Sequence, residues 1–420
     1  MPNVPHDSND SHDQITEYMM NTLVRLIVLT LVVTGATAVD LWAQDLVISN
    51  VRIVTGNGQV IDQGSIVIRN GRIASAASGA ASLPGARTID ARGLTALPGF
   101  MDAHRHVIGG NADQWFKDQA TVRMQEFLEA GYTTLMSGGG PVPGIVQLKD
   151  RIEKGQLKGP RIITSGRADP RSFKTAEEAR AQVRMLKQAG VEIIKARIEP
   201  PAADEEVALL AAVADEGKKQ NIGVMVHAVS PKAMVAAVKA GATKLVHTPH
   251  GGWVTAEQAK FVKDSGVEML STIGFGVPVF GVFNHENRPT FRDGKPWPQG
   301  VLNGNPGADG REAGEKAVNA RILWDAGVTY GFGTDTGYHP KAGLAHELRA
   351  LNLMFSPQDI IRLMGPNTAA FLERSGDLGT LEPGKLADIV LLDGNPLDGY
   401  WNLLNATIVI KGGQIMVDKR

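Results

Sequence analysis

Six side chains capable of metal binding or acid–base chemistry end or follow short apolar runs along the chain. They are His104, His106, Lys195, His227, His247 and Asp335. His104 and His106 lie two residues apart, so on a strand both side chains face the same side. The chain has no cysteine, which excludes disulfides, cysteine nucleophiles and thiolate metal sites. Imidazole, carboxylate or a modified side chain must therefore hold any metal.

The strands that would position these side chains are eight buried-type segments that alternate with helical segments. They cover residues 99–106, 133–137, 161–165, 192–198, 224–227, 244–247, 268–273 and 329–335. Eight strands in this order predict a (β/α)8 TIM-like barrel, in which active sites lie at the C-terminal strand ends. An open doubly wound sheet is the alternative, although no Gly-rich dinucleotide motif follows the first strand.

All six side chains lie at or near predicted C-terminal strand ends. A single histidine at such a place is more often a packing or capping residue than a ligand. The convergence of four histidines and an aspartate on one rim favours a metal site.

Both ends of the chain show the alternating apolar pattern and the Asn/Gly turns of short antiparallel strands. Residues 67–73 have the sequence VIRNGRI, and residues 409–415 have the similar sequence VIKGGQI. This similarity predicts that the termini pair in one small β-sandwich. The predicted organisation is an N-terminal extension with a signal peptide over 1–43, a composite sandwich over 44–98 plus 377–420, and a catalytic barrel over 99–376.

The first 43 residues contain the features of a secretory signal. An apolar run over 26–33 follows a positive charge, and Ala36-Thr37-Ala38 fits a small-x-small cleavage site. The run is too short to span a bilayer comfortably, and an uncleaved membrane anchor is the alternative. We therefore expect a periplasmic or secreted protein with no stable membrane partner after cleavage. The polar residues 1–18 are unusual ahead of a signal peptide, and a start of translation at Met19 or Met20 would explain them.

Composition limits the classes of partner. The chain has 43 Lys and Arg against 44 Asp and Glu, a formal net charge of −1, which argues against nucleic-acid binding. Hydrophobic residues make up 43% and charged residues 21% of the chain, an ordinary globular mixture. We expect a small-molecule substrate as the partner, and a homo-oligomer is left open.

Residues 97–106, LPGFMDAHRH, resemble the first-strand motif of the amidohydrolase superfamily. The likeness covers nearly the whole mature chain, in the order HxH, Lys, His, His, Asp, with the tail GTLEPGKLADIV at 379–390. It implies a barrel with a composite sandwich and a binuclear metal centre. It assigns His104, His106 and Asp335 to the first ion, His227 and His247 to the second, and a carboxylated Lys195 to the bridge.

Physical chemistry supports a carboxylated Lys195. Two dications would repel an ammonium, and burial favours the neutral amine, which can add CO₂ to become an anionic two-oxygen carbamate. The alternative is a lysine that extends out of the barrel or pairs with Glu178, which the neighbouring Ile193 and Ile194 disfavour. Zinc is the first choice of metal, with Co, Mn or Fe as alternatives.

The predicted reaction follows from such a centre. A water that bridges two ions loses a proton near neutral pH, and the resulting hydroxide attacks the substrate carbonyl. Asp335 takes the proton and delivers it to the departing nitrogen as acid/base. The alternative for Asp335 is metal ligation without proton transfer.

Substrate contacts are predicted on loops above the barrel rim. The candidates are Arg167, His250, Tyr338 and His339, each of which fits a solvated loop residue equally well. The stretch from 275 to about 310 is rich in Gly, Pro and aromatic residues and is predicted to form a lid or specificity wall. Arg105 is predicted to form an outward salt bridge, and His346 to lie on the surface of a helix or cap it.

The sequence thus predicts an exported metal-dependent hydrolase of an amide-type C–N bond, of the peptide, N-acyl, urea, carbamate or aryl-amide kind. A lactonase or phosphotriesterase on the same metal pair is the alternative. A mononuclear deaminase is less favoured, because mononuclear members of the superfamily generally lack the bridging lysine. A non-catalytic relative is disfavoured because no ligand is missing.

Overall fold

The computed structural model describes residues 45–274, 310–337 and 339–420. The alternating sequences form the strands β1 (Leu46–Val54), β2 (Val60–Arg69), β3 (Arg72–Ser78), β4 (Arg87–Asp90), β5 (Leu94–Pro98), β6 (Phe100–Arg105), β7 (Tyr132–Ser137), β8 (Arg161–Ile163), β9 (Ser165–Arg167), β10 (Ile193–Ile198), β11 (Gly223–Ala228), β12 (Lys244–Val246), β13 (Glu268–Leu270), β14 (Tyr330–Gly331), β15 (Ile389–Asp393), β16 (Ala406–Lys411) and β17 (Gln414–Asp418).

Strands from both ends of the chain share one eight-stranded sheet, in the order β17-β16-β15-β5-β1-β2-β3 with β4 beside β1. The N-terminal and C-terminal strands meet at β5, which pairs parallel with β1 and antiparallel with β15. Ile48, Ile53, Ile389 and Ile408 are fully buried in a shared apolar core. The prediction that both termini form one β-structure is confirmed, whereas its exact boundaries remain a prediction.

The parallel strands β6 to β14 form the barrel. The chain passes from β8 to β9 through Thr164 alone, so these two segments act as one strand that pairs with β7 and then with β10. Backbone hydrogen bonds close the first strand on the last, from Ala103 N to Phe332 O at 3.1 Å and from Asp335 N to His104 O at 2.7 Å. The predicted (β/α)8 fold is therefore confirmed.

The lower lumen of the barrel is filled by apolar side chains, which sets the orientation of the residues above them. Ile193, Met225 and Leu270 belong to one buried cluster inside the barrel, closed from below by Phe371. Because side chains alternate along a strand, the residues two positions later also face the lumen. Apolar side chains thus fill the lumen at the N-terminal part of the strands, and each strand can present a polar side chain to the lumen at its C-terminal end.

Helices cover the outside of the barrel. They are α1 (Ala112–Asp118), α2 (Ala120–Glu129), α3 (Gly144–Glu153), α4 (Ala176–Gln188), α5 (Asp204–Lys219), α6 (Pro231–Lys239), α7 (Ala256–Ser265), α8 (Gly310–Asp325), α9 (Pro340–Leu351), α10 (Pro357–Arg362) and α11 (Thr368–Phe371). A typical one is α4, which Thr175 caps and which buries Ala179, Val183 and Leu186 at helical spacing. Within the described residues, no helix has the length and apolarity needed to cross a membrane.

Candidate metal centre

The six predicted side chains meet at the C-terminal mouth of the barrel. Lys195 and His227 lie two residues after the lumen residues Ile193 and Met225, as the alternation requires. His104 faces the lumen because the pairing of β6 with β7 shifts register between Asp102 and Arg105. His106, His247 and Asp335 follow the C-terminal ends of β6, β12 and β14.

The Asp335 carboxylate lies at the centre of the group. Its Oδ1 is 3.0 Å from Nε2 of His104 and 3.0 Å from Nε2 of His106. Its Oδ2 is 3.6 Å from Nδ1 of His247. His104, His247 and Asp335 each offer a ligand atom within 4.8 Å of the others, and all three are buried. Nitrogen and oxygen donors at this spacing suit a divalent transition-metal ion.

Lys195 and His227 extend the group on the other side. The Lys195 Nζ lies 3.3 Å from His104 Nε2, and the His227 ring centroid is 4.3 Å from that of His247. His247 Nδ1 lies 2.8 Å from the hydroxyl of Thr272, which fixes the ring and leaves its Nε2 for a ligand. The structure therefore brings all six predicted side chains together, although their binding of metal remains a prediction.

Burial and nearby charges favour the protonation states that can bind a metal ion. Burial lowers the pKa of His104 to about 4 and that of His227 to about 2, so both imidazoles are neutral at pH 7. Burial also lowers the pKa of Lys195 to about 7, against the opposing charge of Asp335. Burial alone would raise the pKa of Asp335, but His104 and His247 hold it well below its usual range. The carboxylate is therefore ionised.

Backbone strain coincides with the site. His247, Thr272 and Asp335 have positive φ angles of 79°, 41° and 50°, at the ends of three consecutive strands. Non-glycine residues in this region cost roughly 1–3 kcal/mol each and occur mainly where function fixes the backbone. The strained geometry turns two predicted ligands and the partner of His247 into the mouth of the barrel.

A buried acid below the predicted ligands joins the first strand of the barrel to the last. Asp102 Oδ1 accepts hydrogen bonds from His104 N and Thr334 N, both at 3.1 Å. Its Oδ2 accepts a hydrogen bond of 2.6 Å from the Thr334 hydroxyl. Asp102 thus fixes the backbone on which both His104 and Asp335 lie. Its place two residues before His104 is the sequence signal that could have identified Asp102.

We expect Asp102→Ala to lower the free energy of unfolding by about 2–4 kcal/mol, because two buried backbone N–H groups lose their acceptor. Metal affinity should fall roughly 10- to 100-fold as His104 and Asp335 lose their support. Denaturant unfolding and chelator competition measure the two effects. Asp388→Ala is the control, since Asp388 is buried but bonds Arg161 Nη1 at 2.7 Å and Gly412 N at 2.8 Å instead. Equal loss of metal affinity in both variants would contradict this role.

Arg105 points outward and forms the predicted salt bridge, with Asp102, but this pair is buried inside the protein. The Arg105 side chain is fully buried, lies over the Phe127 ring of α2 and donates to the Thr334 hydroxyl at 2.9 Å. Its Nη1 is 3.9 Å from Asp102 Oδ2. The physical reason is that α2 covers this part of the barrel, so the outward direction leads into the barrel–helix interface.

The predicted surface or capping position of His346 is wrong. The residue is 5% exposed on α9, where nine of the twelve residues are buried. This helix is covered on more than one side, because it packs against α2, α8 and the turn Tyr400–Leu404. Amphipathic periodicity predicts an exposed face only for a helix with one free side.

The four predicted substrate contacts have different surroundings. Arg167 pairs with Lys195 in the sheet and donates from Nε to Gly139 O at 3.0 Å. His250 donates its backbone N–H to Val229 O at 2.7 Å. His339 Nε2 lies 3.8 Å from Glu126 on α2. Tyr338 and the predicted lid over 275–309 lie outside the described residues, as does the signal segment. All four contacts remain predictions.

Two further charged residues at the rim were missed. Glu199 Oε1 lies 3.6 Å from His227 Nε2, and Arg197 pairs with His227 between β10 and β11. Lys195 and Arg197 lie two residues apart on one strand, as His104 and His106 do in the sequence. Side chains alternate along a strand, so this spacing predicts that Arg197 faces the lumen as Lys195 does.

This chain is similar to known proteins in family, sequence and fold. A sequence model described as "Amidohydrolase family" matches residues 95–416. An imidazolonepropionase from Caldanaerobacter subterraneus subsp. tengcongensis is 24% identical, and the match covers 85% of this chain and 91% of that relative. A 5-methylthioadenosine/S-adenosylhomocysteine deaminase from Symbiobacterium thermophilum is 24% identical, with 81% and 83% covered. The crystal structure of a Xaa-Pro dipeptidase with bound methionine in the active site has a TM-score of 0.73 and 24% identity, covering 89% of this chain and 99% of that one.

Proposed function

Because the chain belongs to the amidohydrolase family, we propose that it is a metal-dependent hydrolase that cleaves an amide-type C–N bond in a small-molecule substrate. The observation that carries this proposal is the group of His104, His247 and Asp335, whose donor atoms lie within 4.8 Å of one another. Imidazolonepropionase and deaminase relatives support a reaction at a C–N bond.

The donor set fits a pair of divalent ions. His104, His106 and Asp335 would hold one ion, and His227 and His247 would hold the other. The imidazoles of His104, His227 and His247 are neutral and the Asp335 carboxylate is ionised, which are the forms that bind metal. Zinc is the proposed metal, and Co, Mn and Fe can also bind to imidazole and carboxylate ligands. When bound, the ions supply an acidified water as nucleophile and polarise the carbonyl of the substrate.

We propose that Lys195 carries a carbamate that joins the two halves of the site. Its Nζ lies 3.3 Å from His104 Nε2, and the side chain is 7% exposed. With a pKa of about 7, a large fraction of the amine is neutral at physiological pH. The neutral nitrogen forms a bond to CO₂ and releases one proton, which leaves an anion with two ligand oxygens.

Asp335 moves the proton in this proposal. Its Oδ1 lies between His104 and His106, and its Oδ2 is the oxygen that receives a proton from the water and delivers it to the departing nitrogen. Asp335 is ionised in the folded protein, which suits its first role as base. Proton delivery to nitrogen is needed because an amine anion is a poor leaving group.

We expect protein purified without chelators and supplied with bicarbonate to contain about two metal ions per chain. Elemental analysis measures this number, and analysis of the same preparation after removal of bicarbonate is the control. One ion that persists after added Zn²⁺ or Mn²⁺ would favour a mononuclear deaminase, a reaction for which the deaminase relative is a precedent.

A substrate panel separates the remaining reactions. It contains N-acyl amino acids, dipeptides, aryl amides, phenylureas and lactones, assayed with the metal-loaded enzyme. Turnover of at least one amide, urea or carbamate supports the proposed function. Turnover of lactones or phosphotriesters alone would overturn it.

We also propose export of the protein, based on the small-x-small site at Ala36–Ala38. Cell fractionation and N-terminal sequencing of the mature protein test this proposal, with an expected start near Val39 or Gln44. A cytoplasmic chain that retains residues 20–38 would contradict it.

A further inference from the structure

A charged cleft opens beside the metal centre. It has a volume of about 540 Å³ and lies between the turn after β9, the end of β10 and the start of α5, a size typical of small-molecule sites. Its charged lining consists of Asp169, Arg171, Arg197, Glu199 and Glu206. The cleft reaches the centre through Glu199, which lies 3.6 Å from His227. The cleft is therefore a neighbour of the candidate metal centre, where part of a substrate would lie.

Arg197 presents a guanidinium to this cleft. It follows Lys195 on the lumen face of β10 and neighbours His227 across the sheet. Its Nε and Nη2 both contact Glu199 Oε1, and its side chain is 52% exposed. Among the described residues, its Nη1 has no acceptor in the protein. Because a guanidinium carries five N–H donors, one edge of Arg197 is available to a ligand.

Arg171 provides a second guanidinium in a fixed position. Its Nε lies 3.1 Å from Glu206 Oε1 and its Nη2 lies 3.1 Å from Glu206 Oε2, a two-bond pair. Glu206 is 6% exposed and also accepts the backbone N–H of Glu199 at 3.2 Å. The buried acid holds the arginine in place, so little conformational entropy is lost when the remaining N–H groups bind a ligand.

The acids of the cleft are already engaged. Glu199 is held by Arg197, and Glu206 by Arg171, as described above. Asp169 Oδ2 lies 3.9 Å from Arg167 Nη1, and burial raises the pKa of Asp169. The two arginines therefore retain hydrogen-bond donors, whereas the acids have cationic partners. Together with Arg167, three guanidiniums balance the three acids, and the remaining N–H groups of Arg197 and Arg171 favour a ligand group that accepts hydrogen bonds.

We propose that this cleft is a subsite for a carboxylate on the substrate, bound by Arg197 and Arg171. The inference rests on the proposed amide hydrolysis and narrows it to N-acyl amino acids or dipeptides with a free carboxylate near the scissile bond. Planar carboxylates match the paired donors of a guanidinium, which explains why two arginines rather than lysines line the cleft.

The test compares each acid of the panel with its neutral C-terminal amide. We expect the unaltered enzyme to hydrolyse the acid with a kcat/KM at least roughly 10²-fold higher than that of the amide. Arg197→Gln and Arg171→Gln should each raise KM for the acid about 10-fold or more and reduce this preference. Metal content is measured in every variant, because a loss of metal would lower turnover of both substrates alike.

Arg180→Gln is the matched control. Arg180 lies on α4 and pairs with Asp215 at 3.6 Å, outside the lining of the cleft, so its loss should leave the preference intact. Equal turnover of acid and amide, or an equal loss of both in Arg197→Gln, would overturn the carboxylate subsite alone. A preference for a free ammonium group would overturn it in favour of recognition by Asp169. Failure to hydrolyse any amide would overturn the proposed function as well, so the two failures are distinguishable.

Discussion

Replacing Lys195 by alanine is expected to reduce bound metal from about two ions per chain to one or fewer, and to lower kcat/KM by roughly 10³-fold or more. The reason is that a carbamate on Lys195 would supply ligand oxygens to both ions, and alanine supplies none. Short carboxylic acids such as acetate or propionate fit the space that the side chain vacates and should restore part of the activity. Elemental analysis and kinetics with and without these acids measure the effect.

Lys244→Ala is the matched control for this substitution. Lys244 is also a buried barrel lysine, 4% exposed, but its Nζ lies 3.0 Å from Glu268 and 3.1 Å from Glu373. Its loss should lower stability while each folded chain retains its metal. Full activity of Lys195→Ala, or the same loss of metal in both variants, would remove the carbamate from the mechanism.

The pH dependence of stability is a second test of the buried state of Lys195. In the metal-free protein, burial lowers its pKa from 10.5 to about 7. Between these values the unfolded chain binds a proton that the folded chain lacks, so the free energy of unfolding rises with pH across this window. Below about pH 7 the buried amine is protonated, and the ammonium lowers the free energy of unfolding by its full amount. Lys195→Met should therefore raise Tm of the metal-free protein at pH 6, whereas a structural lysine would lower Tm when replaced.

The barrel and the positions of the six candidate metal-binding side chains could be predicted from the sequence because both depend on local periodicity. Alternation placed Lys195 and His227 on the lumen side, and parallel strands bring their C-terminal ends together in any closed barrel. The strand predicted at 161–165 is two segments, β8 and β9, interrupted at Thr164. This interruption leaves the order of the six candidate side chains around the mouth of the barrel unchanged.

The surroundings of outward-facing residues could not be predicted in the same way. Arg105 points away from the lumen as alternation requires, yet α2 covers it and Thr334, 229 residues later in the chain, binds it. Arg171 and Glu206 form their pair across 35 residues, between the turn after β9 and α5. Such contacts depend on how helices pack on the barrel, which no short sequence window contains.

Asp335→Asn is expected to lower kcat/KM for an alkyl amide by roughly 10³- to 10⁴-fold, because the amide side chain can ligate metal but cannot transfer the proton. The defect should be about 10-fold smaller for a nitroanilide, whose weakly basic amine departs with little protonation. Paired kinetics on the two substrates, with metal content measured for each preparation, give the result.

Asp102→Ala provides the comparison for this leaving-group effect. Asp102 accepts hydrogen bonds from the backbone of His104 and Thr334. Within the described residues it forms no hydrogen bond with His106 or with the Asp335 carboxylate. Replacing Asp102 should lower kcat/KM for the alkyl amide and for the nitroanilide by the same factor, because Asp102 transfers no proton. An Asp335→Asn defect that is likewise independent of the leaving group would assign Asp335 to metal ligation alone, and the proton would then have to reach the nitrogen from another group.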